Sequence, residues 1–193
     1  AINRTNTVSN NTVLATFANA QGGITVSGGT AAEFDALLAL EGTNVNITGL
    51  NLTVDGSTVS VTQANNLTAT TSGTVTATLT SGAVSDLTAL NEDTDNNAAL
   101  SITITDTSAS AADLNTINAA TTQTVSATSV ATINSSTLGA ISTLGGAITG
   151  GQFAATSAIG TINVSGDSID YTLLGSEIDR FDDFRTDPAR ATF

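Results

Sequence analysis

The sequence predicts a mainly β fold: a right-handed parallel β-solenoid with a short helix or helical turn in most of its repeats. The first observation is a two-part unit, whose clearest copy runs from Ser110 to Thr128 and joins a short capped helix to a Thr/Ser-rich strand. The second is that 40% of the 193 residues are hydrophobic but only 4% are aromatic. Because repeats bury their core between neighbouring copies, thin layers of Val, Ile, Leu, Ala and Thr methyl groups suit this fold.

The composition divides the chain into three parts. Residues 1–12 are polar and rich in Asn, which predicts an N-terminal junction. Residues 13–164 contain the solenoid repeats, although the Gly-rich stretch 134–160 predicts a loose or tightly turned repeat. Residues 165–193 form an acidic C-terminal segment that is a cap, a contact or a linker.

An apolar pair with Leu-x-x-Leu spacing marks each predicted helix. These pairs recur 20 to 33 residues apart, with first members Leu14, Phe34, Leu67, Leu87, Leu114 and Ile141. Ser110 with Asp113, and Thr30 with Glu33, have the spacing of a capping box, in which the hydroxyl and the acid satisfy free backbone N–H groups at a helix start. Helices this short need packing against a neighbour to be stable.

Alternating apolar and hydroxyl residues follow the predicted helices and indicate half-buried strands. These runs are Ile24–Ser27, Val45–Thr48, Val75–Thr78, Ile102–Thr105 and Val125–Thr128. Leu50–Val61 predicts two further strands around the turn signal Asp55-Gly56, either as a hairpin or as an extra coil of the solenoid. A strand–helix–parallel-strand connection is right-handed in nearly all proteins.

The predicted core consists of the apolar members of these patterns. They are Leu14, Phe34, Leu37, Ile47, Leu87, Leu90, Ile102, Ile104, Leu114, Ile117 and Val125.

The charges exclude several classes of function. The net charge is −13, and there are four Arg and no Lys or His, so neither nucleic acid nor an anionic membrane surface is an expected partner. No apolar run approaches the ~20 residues of a membrane span. Without His, Cys or Lys the usual nucleophile–base pairs cannot form, so we expect no enzyme. The C-terminal carboxylates, which could hydrolyse glycosides as a pair, are better explained as a solvated acidic tail.

One loop has the composition of a cation site. Residues 91–97 concentrate oxygen-bearing side chains, and Asp93, Asp95 and Asn97 have the spacing that begins a calcium loop. The Gly expected next is replaced by Ala98, and no closing Glu follows. The sequence therefore predicts Ca²⁺ as the only cofactor, with a plain polar turn as the alternative.

Thr residues recur along the predicted strands and suggest a flat hydroxyl face. Such faces resemble those of β-solenoid ice-binding proteins, but here the repeat length varies and Asn46 and Ser126 interrupt the Thr pattern. Ordinary strand chemistry explains the same residues, since Thr favours pleated surfaces.

The stretch Ala111–Thr122, followed by Thr124–Ala127 and Val130–Ile133, resembles a repeat of giant cell-surface proteins from marine unicellular cyanobacteria. Similar repeats occur in some phage structural proteins of the same hosts. The resemblance is strongest over residues 81–136, weaker over 13–80 and absent from the acidic C-terminal segment. It implies a structural role on a cell surface or virion and transfers no catalytic residues.

Three function classes follow from these observations. We expect an extracellular structural repeat scaffold of a surface layer or filament, which associates with itself or with other surface proteins. A virion fibre or decoration protein and an ice-binding or adhesive module are the alternatives. The predicted partner contacts are Arg180, Phe181, Phe184 and Arg185, where the repeat pattern has stopped.

Overall fold

The computed structural model describes residues 25–42, 45–154 and 159–165, and these form parallel strands that alternate with helices. The helices are α1 (Ala31–Leu38), α2 (Val61–Thr70), α3 (Val84–Leu87), α4 (Ala111–Ala119) and α5 (Leu138–Thr149). The strands are β1 (Thr25–Gly29), β2 (Asn51–Val59), β3 (Val75–Leu79), β4 (Ala98–Ser101), β5 (Ser108–Ala109), β6 (Val125–Ser126), β7 (Thr132–Ser136), β8 (Phe153–Ala154) and β9 (Thr161–Val164).

All strand pairs of the described residues are parallel, as predicted. The prediction of a mainly β protein is wrong, because helices hold about as many described residues as strands do and the fold is mixed α/β. The sequence underestimated the helices, because each buries only one to three large apolar side chains and small Ala, Thr and Gly residues occupy many of the other positions.

The described residues group into two compact units. The first unit holds the described residues up to Thr80, together with Asp93–Ser101 and Ala120–Thr122. Its sheet has the order β1-β2-β3-β4, so strands that follow one another in sequence are also neighbours in space. Helix α1 packs on β1 and β2, and α2 packs on β2 and β3.

The second unit holds Ser81–Glu92, Ile102–Ala119 and the described residues from Gln123 onward. It contains a sheet of order β5-β7-β9 and the pair β6-β8. Helix α4 contacts both α3 and α5, and it also packs on β7.

The core is made of the residue types that the sequence predicted. Of the predicted core residues, Phe34, Ile47, Leu87, Leu90, Ile102, Ile104, Leu114, Ile117 and Val125 are buried. Leu37 is only half-buried, and Leu14 lies outside the described residues. The fourth and seventh residues counted from the start of a helix form the apolar pair, for example Leu114 and Ile117 in α4.

In helix α2 the predicted apolar pair, Leu67 with Thr70, lies one helical turn too far toward the C-terminus. Leu67 is the second member of its pair, not the first, because α2 begins at Val61 and places Ala64 at the fourth position. Ala64 is fully buried and Leu67 is buried, whereas Thr70 is half-buried. The small side chain of Ala64 hid the true start of the helix.

Predictions for three segments that were expected to form strands differ from the structure. Asp55-Gly56 does not turn the chain, because β2 is one strand that bulges between Val54 and Val59 while it stays parallel to β3. Val45–Thr48 forms a single bridge at Val45 and no strand. Thr103 and Ile104 also form isolated bridges only, although the burial of Ile102–Thr105 alternates as predicted.

The Gly-rich stretch also differs from its prediction, because it contains α5, a helix of 12 residues. Ile141, Leu144 and Ile148 lie on its buried face. Their helical spacing outweighs the cost of glycine, which is about 1 kcal/mol per residue in a helix interior.

Candidate functional site

The predicted cation ligands lie at the corner where the chain enters β4. The two carboxylate oxygens of Asp93 accept hydrogen bonds from the backbone N–H groups of Asn97 (2.9 Å) and Ala98 (3.1 Å). Asn96 has a positive φ of 54°, which is the left-handed conformation that Asn tolerates best among non-glycine residues. Asp93 therefore holds the turn that starts the strand.

The other two predicted ligands differ in their surroundings. Asn97 is buried, and its side-chain nitrogen donates to the carbonyl oxygen of Thr71 at 3.0 Å. Asp95 lies on the exposed side of the turn, and no hydrogen bond joins its side chain to other described residues. The loop thus brings Asp93 and Asn97 together as parts of the fold and leaves Asp95 facing solvent. Within the described ranges, no group of three or more His, Cys, Asp or Glu side chains is placed so that it could hold a metal ion.

Asn97 belongs to a column of polar contacts that links successive repeats of the first unit. The hydroxyl of Thr71, a buried residue, donates to the carbonyl oxygen of Leu50 at 2.7 Å, and Asn97 in turn bonds Thr71. The hydroxyl of Thr121 donates to the carbonyl oxygen of Leu100 at 2.7 Å. A buried polar group without a partner costs about 1–3 kcal/mol. A change in the spacing of the repeats would break these bonds, so the column favours the observed spacing.

At three helix starts among the described residues, a side-chain oxygen from the next repeat accepts a hydrogen bond from the first backbone N–H of the helix. The backbone N–H of Ala31, the first residue of α1, donates to the hydroxyl of Ser57 at 2.9 Å. In the second unit, Val84 donates to a carboxylate oxygen of Asp106 at 2.6 Å, and Ala111 donates to the hydroxyl of Ser136 at 2.7 Å. We call these three bonds the inter-repeat caps; they join residues 26, 22 and 25 positions apart.

The inter-repeat caps supplement the local caps. Thr30 and Glu33 form the predicted capping box of α1. Ser110 and Asp113 bond each other at the start of α4, where the Asp113 N–H donates to the Ser110 hydroxyl at 3.1 Å. Ala83 makes no side-chain cap at α3, as its chemistry predicts.

Sequence reasoning missed two helix starts. Ser60 and Gln63 form a full capping box at α2, and Thr137 caps α5. The Ser-x-x-Gln pattern was a sufficient signal for the first of these. No such pattern marks the inter-repeat caps, because each joins residues more than 20 positions apart whose register only the fold sets.

Side chains also connect neighbouring helices. The Gln63 side-chain nitrogen donates to Asp35 at 2.7 Å between α1 and α2. The Asn115 side-chain nitrogen donates to the Ala140 carbonyl oxygen at 2.9 Å between α4 and α5. The side-chain oxygen of Asn115 is buried and has no hydrogen-bond partner among the described residues.

The outward face of the first unit's sheet carries hydroxyl groups in register. Ser27, Thr53 and Thr76 are direct neighbours on β1, β2 and β3. The next residue in this row is Ala99, and the bulge at residues 55–58 of β2 interrupts the face farther along the strands. The row is therefore in register but short.

An open groove lies between α1 and α2. It encloses about 760 Å³, and Asp35, Leu38, Gln63 and Asn66 are among its lining residues. Asp35 and Gln63 are bonded to each other within it, so two of its polar side chains are already paired. The groove gathers none of the nucleophile–base pairs that covalent catalysis requires.

The predicted partner contacts Arg180, Phe181, Phe184 and Arg185 lie outside the described residues, as do the junction at residues 1–12 and most of the segment 165–193. Among the described helices, none has the length and hydropathy that crossing a bilayer requires.

Comparison with known proteins gives no match to a family model, to a curated protein sequence or to a solved structure.

Proposed function

We propose that this chain is a non-enzymatic structural repeat protein of an extracellular surface layer or filament, in which the strand–helix repeats are turns of a right-handed β-solenoid. The observation that carries this proposal is the set of inter-repeat caps. The side chains that close these helix starts come from the following repeat, so their polar groups serve stacking and not a ligand.

Three further observations support a scaffold. The strands pair in parallel with the next repeat, and the buried polar residues Thr71, Asn97 and Ser136 bond residues of neighbouring repeats. The groove between α1 and α2 is open to solvent and holds no catalytic constellation. Stability in such proteins comes from interfaces between adjacent repeats, which suits a load-bearing or surface-covering element.

Self-association would turn single scaffolds into a layer or filament. A stack of parallel strands has a first and a last strand whose backbone groups need a partner. We propose that copies of the chain, or other surface or virion proteins, provide that partner, and that Arg180, Phe181, Phe184 and Arg185 contribute to the contact.

Electron microscopy and analytical ultracentrifugation of the purified chain test this proposal. We expect elongated particles and concentration-dependent higher assemblies. The variant Phe181→Ser/Phe184→Ser should reduce assembly, whereas Thr62→Ser/Thr116→Ser, at exposed described positions, should not. Globular monomers at every concentration would overturn the proposal.

The register of Ser27, Thr53 and Thr76 favours a second candidate, an ice-binding face. Neighbouring strands lie about 4.8 Å apart, so the row repeats hydroxyl and methyl groups at a regular distance that ordered water can match. Growth of ice crystals in the presence of the protein tests this candidate. Thr53→Leu/Thr76→Leu should abolish any slowing of growth, and unchanged growth with the unsubstituted chain rules the candidate out.

A further inference from the structure

The described part of the chain carries charges of one sign only. The four Arg are at positions 4, 180, 185 and 190, so residues 25–165 contain no Lys, Arg or His. Carboxylates occur in both compact units, for example Glu33 and Asp55 in the first and Asp86 and Asp113 in the second. This distribution decides how two copies can meet.

No orientation of two copies can form an ion pair between their described surfaces. A contact between those surfaces gains no attraction between opposite charges, and the net charge of −13 adds a long-range repulsion between the whole chains. The four Arg reduce the charge of the 17 acidic residues only to −13, so a long-range repulsion remains even if all four Arg lie in the contact. Net charge far from zero keeps proteins apart in dilute salt.

We propose that association between copies is controlled by ionic strength: dissolved cations must screen the carboxylates before the chains assemble, and dilution of salt reverses the assembly. The inference rests on the proposed self-association and adds its regulation. The screening length is ~30 Å at about 0.01 M salt and ~8 Å at about 0.15 M, so the repulsion changes most in this range. The cation acts as a diffuse counterion and needs no fixed site.

The structure identifies which carboxylates can be removed without harming the fold. Asp55, Glu92 and Asp95 are exposed, and no hydrogen bond joins their side chains to other described residues. Asp93 and Asp106, in contrast, accept backbone hydrogen bonds that hold a turn and a helix start. Neutralising the first group changes charge alone.

Sedimentation velocity at about 0.01 M and about 0.15 M NaCl tests the proposal on the full chain. We expect the concentration at half-assembly to fall by about tenfold or more at the higher salt. With the triple substitution Asp55→Asn/Glu92→Gln/Asp95→Asn, the concentration at half-assembly in low salt should move toward the concentration that the unsubstituted chain needs in high salt. The control Asn66→Gln/Thr76→Ser/Thr116→Ser changes three exposed positions and no charge, and should behave like the unsubstituted chain.

Each other outcome has a defined meaning. If the concentration at half-assembly is the same at both NaCl concentrations, or is higher at the higher one, the screening inference is overturned and the structural proposal remains intact. Assembly that occurs in CaCl₂ but in NaCl at no ionic strength also overturns it, because a bound divalent cation would then be required. If no variant assembles in either salt while circular dichroism shows folded protein, both the proposed function and this inference fail.

Discussion

The hydroxyl oxygen of Ser136 accepts a hydrogen bond from the backbone N–H of Ala111, the first residue of helix α4, at 2.7 Å. Both residues are buried, and 25 positions of sequence separate them. The same hydroxyl donates to the carbonyl oxygen of Asn134 at 2.8 Å, so its orientation is fixed from both sides. This small side chain therefore links two repeats at the start of α4.

Ser136→Ala should lower the free energy of unfolding by about 1–3 kcal/mol, because it leaves the Ala111 N–H buried without an acceptor. Chemical denaturation followed by circular dichroism measures the change. Ser129→Ala is the matched control, since Ser129 is exposed in the same unit and should change stability by less than about 0.5 kcal/mol. Equal effects of the two substitutions would contradict the importance of the inter-repeat cap.

Gly73→Ala should destabilise the first unit strongly. A Cβ at Gly73 would clash with the Leu50 carbonyl oxygen, which is backbone and cannot move without breaking the column of contacts. We expect a loss of more than about 2 kcal/mol, of the order seen for overpacked cores.

Gly146→Ala is the comparison for this prediction. Gly146 lies inside helix α5, and a Cβ there would meet nothing within 4 Å. Alanine should therefore raise stability by roughly 0.5–1 kcal/mol. The melting temperature should fall for Gly73→Ala and rise for Gly146→Ala. A change in the same direction for both variants would contradict the close approach of Gly73 to Leu50.

Ala140→Gln should stabilise the pair α4–α5. Gln63 occupies the equivalent third position of α2, where its side chain completes a capping box and donates to Asp35 on α1. A glutamine at position 140 would complete the box with Thr137 and supply a donor to the buried Asn115 oxygen, which has no partner among the described residues. Each of the two added hydrogen bonds should contribute about 1 kcal/mol.

A double-substitution cycle with Asn115→Ala separates these two effects. Part of the gain from Ala140→Gln should disappear when Asn115 is replaced, because that part depends on the Asn115 oxygen. If the gain is the same in both backgrounds, the introduced glutamine acts through the cap alone.

The calcium prediction can be tested at Asp95 without disturbing the fold. If Ca²⁺ binds the loop, the melting temperature should rise in CaCl₂ relative to chelator, and Asp95→Asn should remove this rise. Asp95→Asn should leave the melting temperature in chelator unchanged, because no hydrogen bond joins its side chain to other described residues. An identical melting temperature with Ca²⁺ and with chelator would contradict the predicted Ca²⁺ site and support the interpretation of the loop as a polar turn.

Asp93→Ala should destabilise the protein whether or not Ca²⁺ is present, because it removes the acceptor for two backbone N–H groups. The expected loss is about 1–3 kcal/mol, measured by chemical denaturation in CaCl₂ and in chelator.

Local chemistry explains which parts of the fold were predictable. The Thr30–Glu33 box and the alternation of β3 depend on neighbours in sequence, and both were predicted. The Asp55-Gly56 turn signal failed because residues 55–58 bulge toward helix α1, where Ser57 accepts the Ala31 N–H. In this case a contact from a neighbouring repeat outweighed the local preference for a turn.

The predicted cation loop shows the same limit. Composition identified Asp93 and Asn97 as oxygen ligands. In the structure the Asp93 oxygens accept from the N–H groups of Asn97 and Ala98, and the Asn97 side-chain nitrogen donates to the carbonyl oxygen of Thr71. Sequence spacing alone cannot distinguish a side chain that binds an ion from one that closes a corner, because both use the same atoms. Only for Asp95 do the two interpretations, ion binding and structural support of the turn, lead to different expectations.

The separations of the bonds between repeats have a consequence for how the chain reaches its structure. The side-chain bonds that join repeats link residues 21 to 34 positions apart, for example Thr71 to Leu50 and Asn118 to Gln152. Closing a loop of that length costs little more entropy than closing one half as long. The chain can therefore acquire its native contacts one repeat at a time as it leaves the ribosome or an export channel, without waiting for a distant segment to arrive.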